Sequence, residues 1–165
     1  MIEAVIFDLD GTLITLPLDY ERELLPQFSR VTGIDNMHPL TEKVSKLDQK
    51  KKEKVFEIWN EAELKALEKM TVNSKGKTLY NKHLNKPKAL VTLQGKIVVQ
   101  NILEDLALRF DFIVTREDSL NRTEQLQIAL QKLRKSAQNV LFIGNTTGDS
   151  TAARAVGCQF LRVEQ

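Results

Sequence analysis

The segment Glu3 to Leu9 reads E-A-V-I-F-D-L, a nearly unbroken β-branched and aromatic run that stops at once in Asp10, Gly11 and Thr12. An antiparallel strand with one wet face alternates apolar and polar residues. A continuous run of this kind belongs to a strand covered on both faces, the hallmark of a parallel sheet between two layers of helices. Three further runs share the character, Ala89 to Thr92, Phe112 to Thr115 and Val140 to Gly144, with Gln159 to Val163 as a weaker fifth. Helical periodicities lie between them, Ile97, Ile102 and Leu106 marking one face and Leu126, Ala129, Leu130 and Leu133 another. The alternation predicts an α/β fold, a three-layer Rossmann-like parallel sheet whose ligands bind at the carboxyl ends of the strands.

Leu16 to Thr71 interrupts this order. It carries three helical patterns (Tyr20, Leu24, Phe28 and Val31; Leu40, Val44 and Leu47; Val55, Trp59, Ala62, Ala66 and Met70) and no strand-like run, with turn points at Gly33 and near Pro39. The expected organisation is therefore a core formed by residues 1–15 and 72–165, with a small helical cap, residues 16–71, inserted after the first strand. At 165 residues the chain has room for one core domain and a minor insertion.

Composition narrows the function. With 24 basic and 22 acidic residues the formal net charge is +2, which gives no electrostatic reason to expect a nucleic-acid partner. The stretch Ala4 to Phe7 is too short and too closely followed by acids for a signal peptide, and no window reaches the roughly 18 apolar residues of a spanning helix. No membrane role is expected. The single cysteine, Cys158, excludes an internal disulfide and a cysteine-built zinc site, so a reducing cytoplasm is the expected setting. Cys158 itself reads as a small buried hydrophobe at the start of the last strand, His38 and His83 as surface or interface residues, and Trp59 and Phe56 as packing on a cap helix. The lysine-rich run Lys50 to Lys54 reads as a solvated helix face or loop.

Chemistry concentrates where the first strand ends. In D-L-D-G-T, Asp8 and Asp10 leave an extended strand on the same side, and Gly11 lets the chain turn closely around whatever sits there. Paired carboxylates repel unless a cation intervenes, so a divalent metal is the natural third party; an Asx-capped turn before the inserted helices is the other reading.

This motif, with the inserted cap, resembles the haloacid dehalogenase-like superfamily, and the similarity runs along the whole chain. The resemblance implies that Asp8 is the nucleophile and Asp10 the general acid and base. It further implies that the hydroxyl of Thr92 and the backbone N–H of Leu93 grip phosphate at the end of the second strand. Arg122 falls where the family usually carries a lysine that orients the nucleophile and binds phosphate. The stretch Gly144, Asn145, Thr146, Thr147, Gly148, Asp149 resembles the family's last motif, G-D-x-x-x-D, except that Asn145 stands in place of the first aspartate. The implied Mg²⁺ ligands are Asp8, Asp10, Asn145 and Asp149. The implied activity is a Mg²⁺-dependent phosphohydrolase of a small phosphorylated metabolite, similar to phosphoglycolate phosphatase-like members and acting through an aspartyl-phosphate. The alternatives are a weakly active or inactive phosphate-binding or regulatory member of the fold, suggested by Asn145, and a phosphomutase.

Overall fold

The computed structural model describes residues 1–164. Five strands, β1 (Ala4–Asp8), β4 (Lys88–Val91), β5 (Phe112–Val114), β6 (Val140–Gly144) and β7 (Gln159–Arg162), form one sheet in the order β5-β4-β1-β6-β7, and every neighbouring pair is parallel. The first strand lies at the centre, flanked on both sides by strands that come later in the chain. That is why it is the most apolar: all five of its residues are buried. Its side chains alternate between two clusters. Val5 and Phe7 pack with Val98, Val99 and Ile102 of α5 (Lys96–Leu106), while Ala4 and Ile6 pack with Leu126 and Ala129 of α6 (Arg122–Leu133) and Ala152 and Ala153 of α7 (Thr147–Val156). The predicted three-layer architecture is thus observed, with all five expected runs forming strands.

The insertion carries a third core of its own. α1 (Leu25–Thr32), α2 (Leu40–Ser45) and the long α3 (Gln49–Ala66) surround Leu24, Phe28, Met37, Val44, Val55 and Trp59. Gly33 ends α1 in the left-handed conformation, and Asp48 caps α3 by accepting the Lys51 N–H. The lysine run occupies the first turns of α3, with Lys50, Lys51 and Lys54 exposed and Lys52 half-buried. One feature departs from expectation: the two connections to the insertion pair with each other, β2 (Ile14–Thr15) lying antiparallel to β3 (Thr71–Val72). Two-residue strands carry too little periodicity to be read from sequence. α4 (Ser74–Lys82) then leads back into β4.

Two isolated residues also differ from their sequence reading. Cys158 precedes β7 and is only half-buried, and burial pushes its thiol up to about 11, so it remains protonated and inert. His83 is half-buried, its Nδ1 shielded without a partner, and desolvation lowers its pKa. His38 is exposed and lies 2.9 Å from Glu21.

Candidate active site

The site forms at the carboxyl edge of the sheet, where β1, β4 and β6 end side by side. Asp8 is the last residue of β1 and is 4% exposed. Gly11, two residues beyond Leu9, holds φ at +86°, and a Cβ there would meet the Asn145 amide nitrogen at 2.1 Å. Glycine is required on both counts, since only it adopts this backbone cheaply and lets the loop after β6 close against the loop after β1.

Arg122 is the centre of the arrangement. It opens α6, whose cap Asn121 accepts the Glu124 N–H, and this entry aims the guanidinium inward. Nη2 donates to Asp8 Oδ1 at 3.0 Å, Nε to Asp149 Oδ1 at 3.0 Å and Nη1 to Gln125 Oε1 at 2.7 Å. The planar fork bridges two carboxylates and an amide at once, which a lysine ammonium could not do in this geometry. Asp149 has little freedom left. Its Oδ2 accepts the backbone N–H groups of Asn145 (3.1 Å) and Thr146 (3.2 Å), forming a capping box with Thr146 at the start of α7.

Burial pushes Asp8 up to about 7, against the downward pull of Arg122; the negative charges of Asp149 and Asp10 add to the rise. Asp10 is also raised, mainly by desolvation, although its carboxylate accepts the N–H of Leu16 at 2.9 Å and so is tied to the first residues of the insertion. The Thr12 hydroxyl lies 3.3 Å from Asp8 Oδ2 and 3.4 Å from Asn145 Oδ1. A single hydroxyl proton can satisfy only one of these two oxygens, so the other keeps an unused lone pair.

The turn after β4 supplies donors. The Thr92 hydroxyl accepts the Gln94 N–H at 3.1 Å and donates its own proton to Gln94 Oε1 at a long 3.5 Å, a weak contact that a phosphate oxygen could replace. Among the described residues the Leu93 N–H meets no acceptor. Sequence reasoning missed Gln125, which is fully buried and donates to the carbonyls of Thr92 (2.8 Å) and Ser119 (2.9 Å) while accepting from Arg122. The available signal was a polar residue directly beside Leu126 on the apolar face of α6. It also missed Arg116 and Glu63, a fully buried ion pair 2.9 Å apart that joins the cap to the core. A cleft of about 540 Å³ runs outward from Arg122 and Leu93 between Ser119 and Asn121 on one side and Thr41 and Ser45 of α2 on the other.

The family model of the haloacid dehalogenase-like hydrolases matches residues 5–163. The chain belongs to that family. No curated protein matches it in sequence. Among solved structures it is similar to a haloacid dehalogenase-like family hydrolase from Streptococcus pneumoniae (20% identity, TM-score 0.67, covering 98% of this chain and 84% of that one). It is also similar to CbbY from Rhodobacter sphaeroides in complex with phosphate (15% identity, TM-score 0.70, 100% and 87%) and to a predicted phosphatase from Clostridium acetobutylicum (17% identity, TM-score 0.67, 98% and 84%). At these identities the likeness concerns the fold, and with the family match it makes the chain a hydrolase-family member with the cap after the first strand. No helix among the described residues is long and apolar enough to cross a membrane.

Proposed function

We propose that the protein is a phosphomonoester hydrolase that passes the phosphoryl group through Asp8. The observation that carries this reading is the guanidinium of Arg122 holding Asp8 Oδ1 in place, beside a turn whose Leu93 N–H meets no acceptor among the described residues and whose Thr92 proton is held only by a 3.5 Å contact to Gln94 Oε1. Asp8 attacks phosphorus, the bond from phosphorus to the leaving oxygen breaks, and Asp10 gives that oxygen its proton. Desolvation raises the pKa of Asp10, the direction that favours its acid form in this step. Asp10 then takes a proton from a water that attacks the aspartyl-phosphate, releasing inorganic phosphate and restoring the Asp8 carboxylate. Arg122 orients the nucleophile and offsets charge on the phosphoryl oxygens, while Asp149 positions Arg122. Transfer of the phosphoryl group to a sugar instead of water would show in the products. The leaving group would lie in the cleft against Thr41, Ser45, Ser119 and Asn121, which suits a small phosphorylated metabolite.

A divalent cation fits the donor set. Asp8 Oδ2 and Asn145 Oδ1 are hard oxygens that converge on the Thr12 hydroxyl, and Mg²⁺ binds through one or two protein oxygens together with water and substrate phosphate. Such an ion would neutralise repulsion between the attacking carboxylate and the phosphate dianion. Among the described residues no three His, Cys, Asp or Glu side chains come together as a metal cluster, and Asp149 is committed to Arg122 and the α7 cap. Such an ion would therefore be held by one formal protein charge fewer than an aspartate at 145 would provide. That difference also favours a second reading, a phosphate-binding member with slow turnover.

One experiment addresses both. Hydrolysis of an aryl phosphate is measured while Mg²⁺ is titrated, with EDTA as the zero point. Wild type is expected to need millimolar Mg²⁺ and to lose activity in EDTA. Asn145→Asp is expected to tighten the Mg²⁺ requirement at least about tenfold, since a unit charge pair near 4 Å is worth up to about 4 kcal/mol at an effective dielectric of 20. Wild-type activity that persists unchanged in EDTA overturns the Mg²⁺ assignment.

The pH profile gives an independent check. Asp8 must be ionised to attack, so activity at low Mg²⁺ rises with pH along a limb centred near 7. A bound cation favours the carboxylate, so saturating Mg²⁺ moves that limb to lower pH. A limb that stays in place at both Mg²⁺ levels argues against direct coordination by Asp8.

A further inference from the structure

We infer that Glu63 and Arg116 form a positioning device that orders the turn Leu93–Gly95, so that seating the cap and assembling the phosphate cradle are one event. This rests on the phosphate role proposed above for that turn. Arg116 follows β5 in the core, whereas Glu63 projects from α3 in the cap. Their side chains are 0% and 1% exposed. Between them they hold three consecutive residues of the turn: Arg116 Nη1 donates to the Leu93 carbonyl at 3.3 Å, the Arg116 backbone N–H donates to the Gln94 carbonyl at 3.3 Å, and the Gly95 N–H donates to Glu63 Oε1 at 3.1 Å. Two further cap residues complete the seat, Asn60 accepting from Arg116 Nη2 and the Trp59 ring lying 4.3 Å from the guanidinium carbon.

The arrangement is a poor way to gain stability. Desolvating an ion pair roughly cancels its attraction, and a pair of well-packed apolar side chains would serve at least as well. Arg116 Nε is moreover buried with no partner, an added cost. What the pair offers and apolar packing does not is direction. It fixes the peptide planes on either side of Gln94, and with Gln125 holding the Thr92 carbonyl the Leu93 N–H is left aimed away from the protein's own acceptors. Gly95 fits the same purpose, because a Cβ there would meet Asn60 Oδ1 at 2.1 Å and Arg116 Nη2 at 2.7 Å. Half of the clamp comes from the cap, so a cap that lifts away takes Glu63, Asn60 and Trp59 with it, releases the Gly95 N–H and leaves the Arg116 guanidinium held only by the Leu93 carbonyl.

The test compares wild type with Arg116→Met, Arg116→Lys, Glu63→Gln and Asn60→Ala. Three measurements are made on each: inorganic phosphate affinity by calorimetry, kcat and KM for an aryl phosphate, and amide exchange of residues 92–96. Circular dichroism first establishes that each variant is folded. Folded Arg116→Met and Glu63→Gln are expected to bind phosphate at least about tenfold more weakly, with KM rising more than kcat falls and with faster exchange in the turn. Arg116→Lys should recover part of the loss. Asn60→Ala removes one contact without stranding a buried charge, so it keeps the question answerable if the charge variants unfold; a severalfold rise in KM is expected. Wild-type phosphate affinity, KM and turn exchange in any folded clamp variant overturn the inference while leaving the hydrolase reading intact. A wild-type protein that neither binds phosphate nor hydrolyses the ester overturns both.

Discussion

Asp8→Asn is expected to abolish turnover and at the same time to make the protein more stable at neutral pH. The first effect follows from removing the nucleophile, and a loss of at least about 10⁴ in kcat is expected in aryl phosphate hydrolysis. The second follows from linkage. The Asp8 carboxyl is raised from 3.8 to about 7 in the folded protein, so between those values the folded state binds more protons than the unfolded one. Stability contributed by Asp8 is therefore present in full below about pH 4 and falls as pH rises through the window toward 7. At pH 8 holding the charge buried costs up to about 4 kcal/mol. An asparagine of the same shape carries no such cost. A gain on the order of 2 kcal/mol is expected in urea unfolding at pH 8, shrinking toward zero at pH 4. Equal stability of the two proteins at both pH values would mean that Asp8 is not a desolvated carboxylate, and surviving hydrolysis would end its assignment as nucleophile.

Arg122→Met is expected to have the largest combined effect. It strands Asp8 and Asp149 without the cation that both contact at 3.0 Å, and removing one partner of a buried pair costs about 3–5 kcal/mol. Catalysis suffers separately, because the nucleophile loses its orientation and the phosphoryl oxygens lose a donor; kcat/KM for an aryl phosphate should fall by about 10³. Arg122→Lys separates the two roles. An ammonium keeps a charge beside Asp8 but cannot also span Asp149 Oδ1 and Gln125 Oε1, so an intermediate loss of about tenfold to a hundredfold is expected. If Arg122→Met is folded and retains wild-type kcat/KM, the guanidinium serves only the fold.

The sequence and structure agree most closely where the physics is local. Glu3 to Leu9 could be read as a central parallel strand because its burial on both faces requires an apolar run, and the cap helices could be read because Tyr20, Leu24, Phe28 and Val31 lie one turn apart. The β2–β3 pair could not, since two residues carry no period. The acidic pair Asp8 and Asp10 stood out because strand geometry itself puts i and i+2 on one side. Glu63 and Arg116 did not stand out. Each looks like an ordinary charged residue on an amphipathic segment, and only their meeting 53 positions apart reveals the pair. Gln125 was hidden similarly, its polar head surrounded by the Thr92 and Ser119 carbonyls that the fold brings to it.

By itself the sequence determined a doubly wound sheet, an inserted helical layer and a pair of carboxylates at the exit of the first strand, because strand and helix periods and strand-end turns are properties of neighbouring residues. The tertiary structure alone decided that Arg122, 114 residues from Asp8 and 27 from Asp149, bridges the two, and that the cap is bolted to the turn after β4 by a buried ion pair. Such contacts depend on the order in which strands join the sheet and on how far each helix is rotated. Those choices are set by the packing of the whole core, and no short window of residues contains them.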